Sequence, residues 1–133
     1  MSEVNKAVIR AYAEAFSAGD FERVYELHAP DAVVHGVLGW GVLDEVVPIW
    51  RELHAALAIK LEIKGLCAEG DLVAARYAER GVFKAPFRGK APTGKSYELV
   101  AMEWYEMKKG LIHRRWGVRD LTSLMRQVEM PAG

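Results

Sequence analysis

The sequence predicts an α+β fold in which a curved, mainly antiparallel sheet wraps around three helices from the N-terminal half, with a short helix at the C-terminus. Three observations carry this expectation. Apolar residues recur at helical spacing up to Leu57, the period changes to two from Ile59 onward, and helical spacing returns after Asp120. Helices grouped ahead of a run of strands, instead of alternating with them, exclude a parallel sheet built from strand–helix–strand units. With one apolar face per element, burial is simplest when the sheet curls over the helices as a half-open cone. Such a cone tends to leave an apolar pocket.

Taken in order, Val4, Ala7, Val8, Ala11, Tyr12 and Ala15 mark an amphipathic helix over residues 3–17, ended by Ser17-Ala18-Gly19. Asp20 can cap a second helix carrying Phe21, Val24, Tyr25 and His28, which Pro30 stops. Ala32 to His35 reads as a short apolar strand, and Gly36, Gly39 and Gly41 around Trp40 as a flexible connection. A third helix presents Ile49, Leu53, Ala56 and Leu57, with Pro48 acceptable only near its first turn. Ile59, Leu61 and Ile63 then alternate with Lys60, Glu62 and Lys64, and Glu69-Gly70-Asp71 signals a hairpin. The returning strand runs from Leu72 to Phe83 and is expected to break at Gly81. Residues 84–96 hold Pro86, Gly89, Pro92 and Gly94 and read as a surface excursion. Tyr97 to Met107 and Leu111 to Arg119 are two further strands joined by a turn at Lys108-Lys109-Gly110. Leu121, Leu124, Met125 and Val128 form the closing helix, and Met130 to Gly133 a loose tail.

At 133 residues the chain is read as a single domain spanning 1–133. Eighteen basic and eighteen acidic residues leave no net charge, so neither nucleic acid nor an anionic membrane is an expected partner. No segment reaches the roughly 20 apolar residues of a membrane span, and the first 16 residues lack the apolar core of a signal peptide. The single cysteine, Cys67, reads as a small core residue and fits a cytoplasmic location.

Gly89 to Ser96 satisfies the pattern G-x-x-x-x-G-K-S of a nucleotide-binding loop, but the residues that follow have strand period, whereas a phosphate cradle needs a helix there. His28, His35, His54 and His113 show no metal-ligand spacing, so no metal is expected. His54 reads as solvated helix surface and His113 as pointing out of the pocket. His35, at the mouth of a glycine-rich loop, is a candidate site residue or a histidine bonded to backbone.

The final strand carries the main functional candidate. Ile112, Arg114, Trp116 and Val118 fall on one face by period two, and Asp120 is next on it. Two jobs are open to Asp120: capping the following helix, or acting as an acid/base beside aromatic walls, where burial would raise its pKa. Arg114 on the same face would hold an acidic or carbonyl-bearing ligand, or else cover the sheet. Tyr12, Phe16, Trp40, Trp50, Trp104, Tyr105 and Trp116 are candidates for lining the pocket.

The run Gly-Leu-Ile-His-Arg-Arg-Trp-Gly-Val-Arg-Asp from Gly110 to Asp120, followed by Leu124-Met125-Arg126-Gln127, resembles the closing segment of SnoaL-like polyketide cyclases. Supporting similarity lies in Pro30-Asp31-Ala32-Val33-Val34-His35, Ile49-Trp50-Arg51-Glu52-Leu53 and Pro92-Thr93-Gly94-Lys95. These proteins belong to the nuclear transport factor 2-like, or cystatin-like, α+β cone superfamily. The resemblance implies that Asp120 is a general acid/base for ring closure, without metal or organic cofactor, and that the chain forms a homodimer. It differs from the family in having Arg114 at a usually acidic position and Val128-Glu129 after Gln127.

The expectation is therefore a cofactor-independent cyclase or isomerase acting on a small hydrophobic carbonyl compound, with Asp120 moving a proton and His35 or a tyrosine bonding the oxygen. Two alternatives are a non-catalytic module that binds a hydrophobic small molecule, and an epoxide-hydrolase-like enzyme using Asp120 with Arg76 or Arg114.

Overall fold

A computed structural model describes residues 2–37 and 39–131. Its elements are α1 (Ser2–Ala18), α2 (Phe21–Glu26), β1 (His28–His35), β2 (Trp40–Val42), α3 (Leu43–Leu57), β3 (Lys60–Glu69), β4 (Leu72–Val82), β5 (Ser96–Lys108), β6 (Leu111–Arg119) and α4 (Leu121–Gln127). One curved, unclosed sheet runs in the order β2-β1-β6-β5-β4-β3. Every neighbouring pair is antiparallel except β1 with β6. The α+β cone expected from the sequence is thus present, with α1 and α3 packed against the sheet's inner face.

Asp20 caps α2 by accepting from the Arg23 amide at 3.1 Å, as expected. The segments that depart from expectation do so through tertiary contacts. His28 lies not on α2 but at the start of β1, and Pro30 sits inside that strand. A proline is tolerated there because β1 departs from β6 between His28 and Val33, so no ladder hydrogen bond is asked of it. The glycine-rich connection contains a short strand, β2, paired to β1. Pro48 is the sixth residue of α3 and thus lies beyond the first turn. Gly81 does not break β4. It pairs with Tyr97, and a Cβ there would lie 2.3 Å from the Leu57 carbonyl oxygen, so the glycine permits close approach of α3.

Ser96 opens β5, so the nucleotide-loop look-alike leads into a strand, as expected. Cys67 is exposed, contrary to its reading as core, because it lies on the outer face of β3. His54 is not simply solvated: its Nε2 meets the Ser17 carbonyl at 3.2 Å and its ring packs against Phe16 and Phe21. Met130 is buried and its amide donates to the Met125 carbonyl at 2.8 Å, so the predicted tail is partly packed; Ala132 and Gly133 lie outside the described residues. Among the described residues no helix is long and apolar enough to cross a membrane.

Candidate active site

A single register shift decides what the sheet points inward. Between β5 and β6, Glu106 pairs with Arg114 and Met107 with Ile112, so His113 is an extra residue on β6. Because side chains alternate strictly, one inserted residue exchanges the faces of everything after it. Ile112 is buried inward, and beyond the bulge it is Arg115, Gly117 and Arg119 that line the interior, in place of the expected Arg114 and Trp116; Val118 borders the pocket but is 64% exposed.

The interior pocket has a cavity of about 70 Å³, several times the space a single water needs. Tyr12 and Phe16 from α1 and Trp50 from α3 line it, as predicted. Its polar members were not predicted: Glu79 on β4, Glu103 on β5, and Arg115 and Arg119 on β6. The signal for the two acids was in the sequence, since Glu79 and Glu103 fall on the otherwise apolar period-two faces of Val73-Ala75-Tyr77 and Tyr97-Leu99-Ala101-Tyr105.

Arg115 is the centre of this group and only 2% exposed. One of its nitrogens, Nη2, donates to Glu103 Oε1 at 2.9 Å and to the Tyr12 hydroxyl at 3.0 Å, while Nη1 lies 3.2 Å from His28 Nε2. The guanidinium also sits 4.4 Å, 4.9 Å and 5.0 Å from the ring centres of Tyr12, Trp50 and Tyr105. Burial opposes its charge, but Glu103 and the tyrosines hold it firmly protonated. Glu79 is tied separately, accepting from the Tyr97 hydroxyl at 2.6 Å and from Arg119 Nη2.

Among the described residues, two buried side-chain atoms here have no hydrogen-bond partner, Glu103 Oε2 and Arg119 Nε. Burial pushes the Glu103 carboxyl above the ordinary carboxylate range, against the pull of Arg115. Room for that carboxylate comes from Gly117, opposite Glu103 in the ladder; a Cβ there would lie 2.6 Å from Oε2 and 2.7 Å from Oε1. Gly117→Ala should therefore drive Glu103 off Arg115 and cost about 1–3 kcal/mol by overpacking. Thermal denaturation checks this, and an unchanged melting temperature would count against the tight seat.

His28 is held neutral, its pKa lowered to about 3 by burial and by Arg115. Below the ordinary value of 6.5 the unfolded chain takes up a proton that the folded chain refuses. The stability this group contributes is therefore complete above about pH 6.5 and lost as pH falls toward 3, at roughly 1.4 kcal/mol per pH unit for a full proton. Glu103 acts with the opposite sign, since its raised value makes the folded state gain stability as pH falls toward the ordinary carboxylate value of 4.5 from above. The difference in pH slope between wild type and His28→Gln isolates the histidine; denaturant titrations should find a shallower slope in the variant.

The remaining predicted site residues lie elsewhere. Asp120 is exposed, accepts from the Ser123 amide at 2.8 Å as the N-cap of α4, and does not line the pocket. The face that was to carry it inward with Trp116 turns outward beyond the bulge. His35 also faces outward, stacked on Trp116 with ring centres 5.0 Å apart and 4.6 Å from the Trp40 ring, with Nδ1 3.3 Å from the Arg115 carbonyl. Trp104 pairs with Trp116 on the same outer face, where Trp40 is 73% exposed. Arg114 is exposed opposite Glu106. Tyr105 is interior but behind the pocket wall, its hydroxyl 2.8 Å from that of Tyr77. His113 stays out of the pocket, 3.5 Å from Asp31. Arg76 and Arg114 do not share a pocket with Asp120, so the arrangement that the epoxide-hydrolase alternative needs is not assembled among the described residues.

Among solved structures, the chain is similar to IdmH from Streptomyces antibioticus, a candidate polyketide cyclase. The two share 27% identity and a TM-score of 0.84 over 94% of this chain and 98% of that one. It is also similar in fold to AclR from Streptomyces galilaeus, a candidate hydroxylase, at 22% identity and a TM-score of 0.87 over 98% and 100%. A third likeness is TsrD from Streptomyces laurentii, at 19% identity and a TM-score of 0.83 over 95% of each chain. Comparison with curated protein sequences returns no match. The sequence profile that describes SnoaL-like polyketide cyclases matches residues 6–128, nearly the whole chain, and this protein belongs to that family.

Proposed function

We propose that the protein is a cofactor-independent enzyme of cyclase or isomerase type that moves a proton on a small, largely apolar carbonyl compound, with Glu103 as general base. Family membership points to cyclase- or isomerase-type chemistry. What supports the assignment to Glu103 is its buried, unpartnered Oε2 on a residue that lines the same pocket as Arg119, whose buried Nε–H is also unpartnered among the described residues. Oε2 takes the proton α to a carbonyl, and the C–H electron pair becomes the enolate. Arg119 Nε–H donates to the developing oxygen charge, the kind of stabilisation worth about 3 kcal/mol. The enolate carbon then attacks a second carbonyl of the same molecule, and the new alkoxide takes the proton back from Glu103. Tyr12, Phe16 and Trp50 supply the apolar walls.

The alternative assignment keeps the acid/base role at Asp120, as the resemblance implies, and requires that carboxylate to leave its cap. Deuterium exchange α to the carbonyl in a panel of enolisable ketones separates the two. Glu103→Gln lowers exchange about 10²–10⁴-fold under our reading, while Asp120→Asn leaves exchange unchanged and, because asparagine caps a helix about as well as aspartate, costs little stability. The reverse pattern returns the role to Asp120, exchange that persists in both variants removes both carboxylates as the base, and no exchange above background in wild type would favour a binding module.

The chain also pairs with a second copy through the outer face of the sheet, a reading supported by exposed Trp40, Met102, Trp104 and Val118. Analytical ultracentrifugation should give a dimer for wild type and a monomer for Trp104→Glu; a monomeric wild type removes the idea.

A further inference from the structure

Glu103 has one oxygen held and one oxygen free, and something must fix which is which. Arg115 does the holding, yet a guanidinium held at Nη2 alone can still pivot on its flexible side chain unless another nitrogen is anchored. The anchor is His28. Its Nδ1 lies 2.7 Å from the Val24 carbonyl, which can only accept, so Nδ1 carries the hydrogen. That leaves the Nε2 lone pair to accept from Arg115 Nη1 at 3.2 Å. The relay runs from α2 through His28 and Arg115 to Glu103 Oε1, and it leaves Oε2, on a residue that lines the pocket, without a hydrogen-bond partner among the described residues.

We propose that His28 is a positioning residue: a neutral imidazole of fixed tautomer that sets the in-plane orientation of Arg115 and, through it, which oxygen of Glu103 faces the ligand. This rests on the proposed role of Glu103. Burial and the Arg115 guanidinium keep His28 neutral, against the Val24 carbonyl, whose bond favours the protonated ring. Tyr12 on α1 and Trp50 on α3 face its ring at 5.9 Å and 6.0 Å, and Arg115 on β6 meets its Nε2. Tyr25 and Asp44 line the cavity beside it, but they are bonded to each other at 2.9 Å. A second cation could not be accommodated beside the Arg115 guanidinium, and protonating Nε2 would abolish the acceptor that the relay uses.

Nitrogen-15 NMR of the wild-type protein tests the tautomer directly. The neutral Nδ1–H form is expected from pH 8 down to pH 5, and an imidazolium at pH 6 or an Nε2–H tautomer overturns the proposal. Carbon-13 NMR of the Glu103 carboxyl then tests the relay. In His28→Leu the titration midpoint of Glu103 should rise by about one pH unit as Arg115 loses its alignment, and kcat/KM on an enolisable ketone should fall about tenfold near neutral pH. His28→Gln, which keeps an acceptor for Arg115, should restore both. A midpoint that stays put in folded His28→Leu, or fails to return in His28→Gln, overturns the positioning role whatever the activity does. A midpoint that moves while turnover does not leaves the positioning role standing and removes Glu103 as the base. Should His28→Leu not fold, the wild-type tautomer and the His28→Gln midpoint still decide.

Discussion

Arg115→Met is expected to lower the free energy of unfolding by about 3–5 kcal/mol at neutral pH, the usual consequence of breaking a buried ion pair by removing one partner. For a domain of this size that corresponds to a fall of roughly 10–20 °C in melting temperature. The arginine bonds Glu103, Tyr12 and His28 and is enclosed by three rings, so its loss strands a carboxylate, a hydroxyl and an imidazole lone pair together. The loss should shrink as pH falls. Without the guanidinium, the Glu103 carboxyl protonates more readily in the folded state, and the neutral form no longer needs a counter-charge. The double variant Arg115→Met/Glu103→Gln should recover part of the deficit, because no ion is left buried without its partner. Chemical denaturation at neutral and acidic pH measures wild type, both single variants and the double variant. A deficit under 1 kcal/mol, or a double variant as unstable as the sum of the singles, would contradict the placement of Arg115 at the centre of the interior.

Glu103→Gln is expected to reduce α-proton exchange by about 10²–10⁴-fold, the contribution of a positioned general base. Glutamine keeps the shape and the bond that Oε1 accepts, so binding of an unreactive ketone should change little while turnover collapses. In wild type the base must be ionised, and burial raises its pKa, so kcat/KM should decline on the acid side beginning above the ordinary carboxylate range. An acid limb at the position of a solvent-exposed carboxylate would point away from Glu103.

What the sequence alone determined was the order and kind of the elements. Helical spacing ahead of Leu57 and period two after Ile59 fixed an α+β layout, since each pattern buries only in one kind of element. The caps at Asp20 and Asp120 were legible too, because capping depends on residues three apart in the chain. Tyr12, Phe16 and Trp50 were legible as pocket walls, because each lies on the apolar face of a helix. Charged residues on apolar strand faces, Glu79 and Glu103, were readable in principle as anomalies in the alternation.

The inward face of β6 was decided only by the tertiary structure. Period two assigns two faces to a strand, but which residues share a face along its whole length depends on its partner, and the extra residue at His113 exchanged them. That exchange sent Trp116 and Val118 outward with Trp104, left Asp120 as an exposed cap, and brought Arg115 and Arg119 inside. The four charged groups of the pocket come from three strands, at positions 79, 103, 115 and 119. Only the ladder that sets β4, β5 and β6 side by side makes them neighbours.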